Sequence, residues 1–240
     1  MQNRTARTSD TRESRLREAA ATASDANALL WKFLPTGASV ATARQDGLCA
    51  GICASHKLAR TDLPRLLQHQ SAFEAAALKH GLPPALLAAI ASRESRAGAQ
   101  LDGNGLGGGG ECFGLMQLDS RYHRPRGGAY SAEHIDQAAQ VLGQLLQVVR
   151  ARHPGWPAEQ QLRGALVAYD SGVSNVRTIK DMDRGTTGED YSNDVWARAQ
   201  ALAAHFAGPG SPVEAVEARP ARGTFRFPRA PASSRLTGRA

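Results

Sequence analysis

Between Ser55 and Phe206 the apolar positions recur every three to four residues, the period of helices that bury one face. Ser55–Arg60 reads as one short helix. Thr61 or Asp62 is placed to cap a second, with Pro64 in its first turn, which runs through Leu66, Leu67, Phe73, Ala77 and Leu78 to a stop at Gly81. Pro83 and Pro84 open a third, which reaches Arg96 and ends at Gly98. Ser131 caps a long helix through Ile135, Ala138, Val141, Leu142, Leu145, Leu146 and Val149, stopped near Pro154. Further helices are expected over 158–170, closed by Gly172, over 175–180, and from Glu189 to Phe206. Only Phe113–Leu118 has the look of a strand. The fold class is therefore mainly α, with a small β component.

Residues 98–130 break this pattern with ten glycines, four of them consecutive at 107–110. An irregular stretch of that length inside a helical domain usually carries function, so the chemistry is sought there.

Composition changes the picture in two places. Hydrophobic residues make up 42% of the 240 but aromatics only 5%, so the core must rest on Ala, Leu, Val and Ile. The longest apolar run, Ala85–Ala91, falls far short of the roughly 20 residues of a membrane span. The net charge of +7 suggests an anionic partner until it is located: +2 lies in 1–34, +4 in 207–240 and only +1 in 35–206. A nearly neutral middle argues against a nucleic-acid face, and neither nucleic acid nor membrane insertion is expected.

The ends lack an apolar period. Residues 1–34 read as a disordered or loosely helical extension, and 207–240, rich in Pro, Gly and Arg, as a disordered basic tail. The start has no apolar core of the kind a conventional signal peptide carries. Cys49, Cys53 and Cys112 cannot all pair, and no His/Cys pair at ligand spacing follows Cys49 and Cys53, so no zinc is expected. Free thiols point to a reducing compartment.

In the helix opened by Pro84, Glu94 shares a face with Leu87, Ile90 and Ala91. A carboxyl on an apolar face is desolvated, which raises its pKa. A carboxylic acid still protonated near neutral pH is what glycoside cleavage asks of its general acid. The plainer alternative is a helix-end Glu turned to solvent or paired with Arg93 or Arg96.

Glu94 does not stand alone. In order along the chain come TGAS (36–39), SRES (92–95), FGLMQLD (113–119), HRP (123–125), HI (134–135), AYDSG (168–172), MDRGTT (182–187) and DYSNDVWARAQ (190–200). Over residues 36–206 this series resembles the goose-type lysozymes. Some of it, the ES, GLMQ and AY pieces, is shared with lytic transglycosylases.

The resemblance implies a lysozyme-like single domain of six or seven helices, with a small antiparallel sheet, three-stranded in the family, beside the active-site cleft. It implies hydrolysis, with inversion, of the β-1,4 bond between N-acetylmuramic acid and N-acetylglucosamine in peptidoglycan, by a monomer using no metal or cofactor. Glu94 matches the family's general acid. Asp119 matches one of two carboxylates that position the attacking water, which an inverting enzyme holds about 6.5–9.5 Å from the acid. The other family Asp falls at Gly108. Gln117, His123, Tyr169 and Tyr191 match positions around the sugar cleft, and Asp170 stands where the family usually has Asn. Taken without the family, Asp119 is also readable as a turn or cap carboxylate, His123 as a loop residue, and Tyr169 as a core tyrosine with a bonded hydroxyl. The disulfides of secreted avian members do not carry over, since Val40 and Ala50 stand where one pair would be.

Three functions follow. The first is an antibacterial muramidase acting on peptidoglycan, extracellular by family role, although the start of the chain suggests a cytoplasmic or unconventionally released protein. The second is a cleft that binds N-acetylglucosamine oligomers with little turnover, which Gly108 favours. The third is a lytic transglycosylase, against which Asp119 speaks, because a lyase has no water to activate.

Overall fold

The computed structural model describes residues 27–107 and 109–206. Among these, seven α-helices and one hairpin follow in the order α1 (Val40–Arg44), α2 (Ile52–Leu67), α3 (Gln70–His80), α4 (Pro84–Ser95), β1 (Cys112–Phe113), β2 (Leu118–Asp119), α5 (Ala132–Arg152), α6 (Ala158–Ser171) and α7 (Tyr191–Leu202). No helix in the described region is long and apolar enough to cross a membrane.

The centre is α4. Every residue from Pro84 to Ser92 is buried, and a helix apolar on all sides is stable only when surrounded. Helices α2, α3 and α7 pack against it, and α5 and α6 close the domain, with α3 on α5 and α6 on α7. Four alanines on α4 let these neighbours come close, as the aromatic-poor composition requires. Pro84 sits at the first position, where its missing N–H costs nothing. The end is abrupt: Arg96 and Ala97 are both left-handed, at φ 52 and 54. Two consecutive non-glycine residues there are strained, and surrounding contacts must hold them. Arg96 is held by its own ion pairs to Asp62 and Asp46 and by its carbonyl, which accepts from Arg65 Nε at 3.0 Å.

The expected boundary at Thr61 or Asp62 does not exist. α2 runs unbroken from Ile52 to Leu67 with Pro64 inside it. Thr61 donates back to Lys57 O at 2.9 Å, and Asp62, instead of capping, is fully buried and paired with Arg65 and Arg96. Burial of Leu58, Ala59, Asp62 and Leu66 on one face outweighs the proline. The break comes at Gln68–His69, and α3 then ends at Gly81, left-handed at φ 63. The short helix expected at 175–180 is a 3-10 turn at Val173–Asn175 instead. There the Asn175 amide donates to Ser171 Oγ and Arg184 O and draws the chain away.

The strand expected at 113–118 is a hairpin with Cys112 opposite Asp119 and Phe113 opposite Leu118. A third segment adds to it through a single bridge, Leu106 to Phe113, where the resemblance implied a third strand.

Residues 27–34, expected in the N-terminal extension, are packed on the domain. Leu30 is fully buried, its carbonyl accepts from Trp196 Nε1 at 2.8 Å, and Phe33 meets Trp196 edge-on. The disorder expected for the rest of 1–34, the tail 207–240 and the glycine at 108 lie outside the described residues.

Candidate active site

Glu94 occupies the last turn of α4, where the helix emerges from the core into a cleft of about 710 Å³. The hairpin supplies Cys112, Gln117, Leu118 and Asp119 to that cleft, the loop after it Tyr122 and His123, and α6 Ala168, Tyr169, Asp170 and Ser171. The glycine-rich segment thus folds over the end of the helix that carries the carboxyl.

Neither neighbouring arginine pairs with Glu94. Arg93 turns to Asp194 at 2.7 Å and Asp190 at 3.0 Å, and Arg96 to Asp62 and Asp46. The partner of Glu94 is the hydroxyl of Tyr191, which donates to Glu94 Oε1. Burial lifts the Glu94 carboxyl from 4.5 to about 7, the Tyr191 hydrogen bond opposes this, and the negative charge of Asp170 adds to it. Tyr191 itself is 1% exposed at the start of α7 and touches the carboxyl from inside, not from the cleft wall.

The support beneath Glu94 is ionic. Asp190 accepts from Ser39 N and Arg93, and Asp194 binds both Arg93 and Arg198. Arg198 also donates to Ser92 O and Oγ at 3.0 and 2.9 Å, while Ser92 Oγ donates to Asp62 at 2.7 Å. These groups join α1, α2, α4 and α7. Ser95, the second residue of the ES pair, donates to Leu115 O at 2.8 Å and accepts from Gly98 N, tying the helix end to the hairpin.

Asp119 is half-buried on β2. Arg121 grips it with Nε and Nη2, at 3.0 and 2.6 Å, and holds the carboxylate below its ordinary range. The same guanidinium reaches Glu111 at 3.0 Å. Glu111 is thus committed to Arg121 on the surface, and Asp102 to a turn through Asn104 N and Leu106 N, so neither lines the cleft. His123 lines it and donates its backbone N–H to Asp119 O at 2.9 Å.

Gln117 sits at the hairpin tip with φ 48 and donates to Gly114 O at 2.8 Å. Glycine is required at 114, where φ is 77 and a Cβ would stand 2.4 Å from Nε2 of the buried His134 ring; at Gly107 the absent Cβ leaves the room that the Gln117 amide occupies. His134, which burial keeps neutral with a pKa of about 4, accepts from Met116 N at 3.1 Å and so fixes the same turn. Tyr169 has its hydroxyl bonded to Met116 O at 2.7 Å, as a core tyrosine would, and still forms a section of the wall. Asp170 accepts from Thr187 N at 3.0 Å and faces the cleft with its charge.

The sequence reading missed one side of the wall. Val141, Gln144, Leu145 and Val148 line the cleft from α5. The signal was present: apolar residues at 141, 145 and 148 form a second stripe beside the buried one at 142, 146 and 149. A helix with one core face needs only one stripe. All three cysteines are free, Cys49 and Cys53 on the surface and Cys112 in the cleft.

A small helical domain that presents a proton-holding carboxyl in an open cleft, with a second carboxylate on a facing hairpin, has the architecture of a lysozyme-type glycosidase. Residues 30–205 match the model of the family described as Lysozyme g. The chain is 44% identical over 175 residues to a lysozyme g of Epinephelus coioides, a match covering 69% of this chain and 90% of that one. It is 42% identical over 171 residues to a lysozyme g of Gallus gallus, covering 71% and 81%. A glycine, glutamate and proline-rich protein of Lottia gigantea is 45% identical over 188 residues, covering 71% of this chain but only 43% of that longer protein. The chain belongs to the Lysozyme g family and is a glycosidase.

Proposed function

We propose that the protein is a muramidase that hydrolyses the β-1,4 bond between N-acetylmuramic acid and N-acetylglucosamine in bacterial peptidoglycan. Glu94 acts as general acid on the leaving oxygen. Asp119 positions the water that attacks from the opposite face, with inversion. Gln117, His123, Tyr169 and Asp170 contact the sugars, and Tyr191 sets the charge state of Glu94. The observation that carries this reading is the placement of the Glu94 carboxyl, at the end of α4 on a cleft that Asp119 also lines, with burial pushing its pKa up to about 7. The work is assigned to the domain expected over 35–206 as a monomer, acting on cell walls outside the cell that makes it.

Mass spectrometry of digested peptidoglycan tests the proposal. Reducing muramic ends are expected, and 1,6-anhydro ends would make the protein a lytic transglycosylase. Binding without any product would favour the second reading, a recognition protein of low turnover. That reading draws support from the grip of Arg121 on Asp119 and from Gly108 in place of the family's second Asp. Under the hydrolase reading Gly108→Asp raises kcat more than it changes KM, because the added carboxylate holds water only for the reaction.

A further inference from the structure

The geometry points to Tyr122 as a sugar platform, an additional subsite at the Asp119 end of the cleft that takes the ring face of an N-acetylhexosamine in long substrates. This rests on the glycosidase reading above and extends it to a residue outside the reacting groups.

Tyr122 lines the cleft yet is 78% exposed. Single exposed apolar side chains are ordinary on convex surface, but this one stands in a concavity beside a second solvent-facing apolar group, the α5 stripe. Val148 of that stripe is 40% exposed to the cleft, and Val141 and Leu145, which rest on the core with part of their surface, turn the remainder to the same cleft. Apolar surface left wet on two linings of one groove is suited to a ligand that carries apolar faces of its own.

The turn that carries the ring is also held in place. Tyr122 N donates to Asp119 O at 3.1 Å, and His123 N donates to the same oxygen. The preceding Arg121 is fixed by Asp119 and Glu111, and its guanidinium lies 5.7 Å from the Tyr122 ring centroid. A side chain mounted on an ordered turn has only its own rotamers left to lose when the ligand arrives.

The chemistry matches a pyranose. The flat faces of the sugar expose axial C–H groups and its rim carries hydroxyls. A tyrosine offers an apolar face of similar size and a hydroxyl at its edge. Tyr169, the other tyrosine of the lining, has already given its hydroxyl to Met116. Binding at a distance from the cleaved bond is felt only by substrates long enough to reach it, where it serves to orient the reacting end.

The test compares N-acetylglucosamine trimer and hexamer. Tyr122→Ala is expected to lower kcat/KM on the hexamer about tenfold, the scale of one lost aromatic contact, and to leave the trimer unchanged, whereas Tyr122→Trp keeps hexamer activity. A second readout needs no turnover. In a Glu94→Gln background, Tyr122→Trp adds an indole whose emission shifts to the blue on titration with hexamer, relative to Glu94→Gln alone. Equal loss on trimer and hexamer, no loss on either, or an emission that hexamer does not move would each overturn the platform. If the wild-type protein cleaves neither oligomer nor peptidoglycan, the glycosidase reading fails while the emission titration still decides Tyr122.

Discussion

Glu94→Gln should abolish lysis and stabilise the protein, and the stabilisation should depend on pH in a defined way. In the unfolded chain Glu94 titrates near 4.5, and in the folded one near 7. Below pH 4.5 it is protonated in both states and its titration contributes nothing. As pH rises from 4.5 to 7 the unfolded chain releases the proton while the folded chain retains it, so stability falls. Above 7 the loss is complete. At 1.36 kcal/mol per pH unit the gap between the two values comes to about 3 kcal/mol. Glutamine has nearly the same shape, still accepts the Tyr191 hydroxyl and cannot ionise. Urea unfolding of the two proteins should therefore show little difference at pH 4 and about 3 kcal/mol in favour of the variant at pH 8. Clearing of a cell suspension should fall by at least 10²–10⁴-fold, the usual worth of general acid catalysis. A stability difference that is flat from pH 4 to 8 would refute the reasoning, because it would mean that Glu94 ionises normally in the folded protein.

Other perturbations follow from the same contacts. Tyr191→Phe removes a hydrogen bond that favours ionised Glu94, so the basic limb of the kcat/KM profile should move up by about one pH unit, and a downward move would contradict it. Asp170→Asn removes a negative charge that helps Glu94 keep its proton, so that limb should move down; the amide oxygen still accepts from Thr187 N, and circular dichroism should be unchanged. Arg93→Met leaves two buried carboxylates, Asp190 and Asp194, short of a partner and should cost about 3–5 kcal/mol in denaturant titration. A cost below 1 kcal/mol would mean that Arg198 and the surrounding donors suffice.

The helices at 84–95, 132–152 and 158–171 were legible because each has apolar residues recurring at helical spacing and a terminal signal: a Pro at the first position, a Ser cap, a Gly stop. Glu94 was legible for a related reason, since a charged residue in register with Leu87 and Ile90 is out of place unless its environment is used. What escaped were features set by distant chain segments. Pro64 reads as a helix start, but packing of α2 on α4 and α7 carries the helix through it. Arg93 reads as a partner for Glu94, but Asp190 and Asp194, about a hundred residues later, claim it. The 113–118 strand failed because Gly114 takes φ 77 and Gln117 φ 48, which turn the chain back on itself. The second stripe on α5 was visible as periodicity, but which of two adjacent stripes borders a cleft is decided by the segments packed against the helix.

The ion pairs beneath Glu94 also divide the domain by how it moves. Buried charges shared among α1, α2, α4 and α7 cannot separate singly without leaving a carboxylate or guanidinium uncompensated, so those helices open together or not at all. Amide protons of α4 should then exchange only through global unfolding. The hairpin side is fastened by other means: Leu115, Met116 and Leu118 are buried in the core, and Ser95, His134 and Tyr169 each add a hydrogen bond to its backbone. Among the described residues no buried ion pair ties it down. The acid is thus mounted on a bank clamped by charge, and the carboxylate and tyrosine at positions 119 and 122 on a bank held by apolar packing and neutral hydrogen bonds. Salt and pH should therefore act on the two banks of the groove unequally.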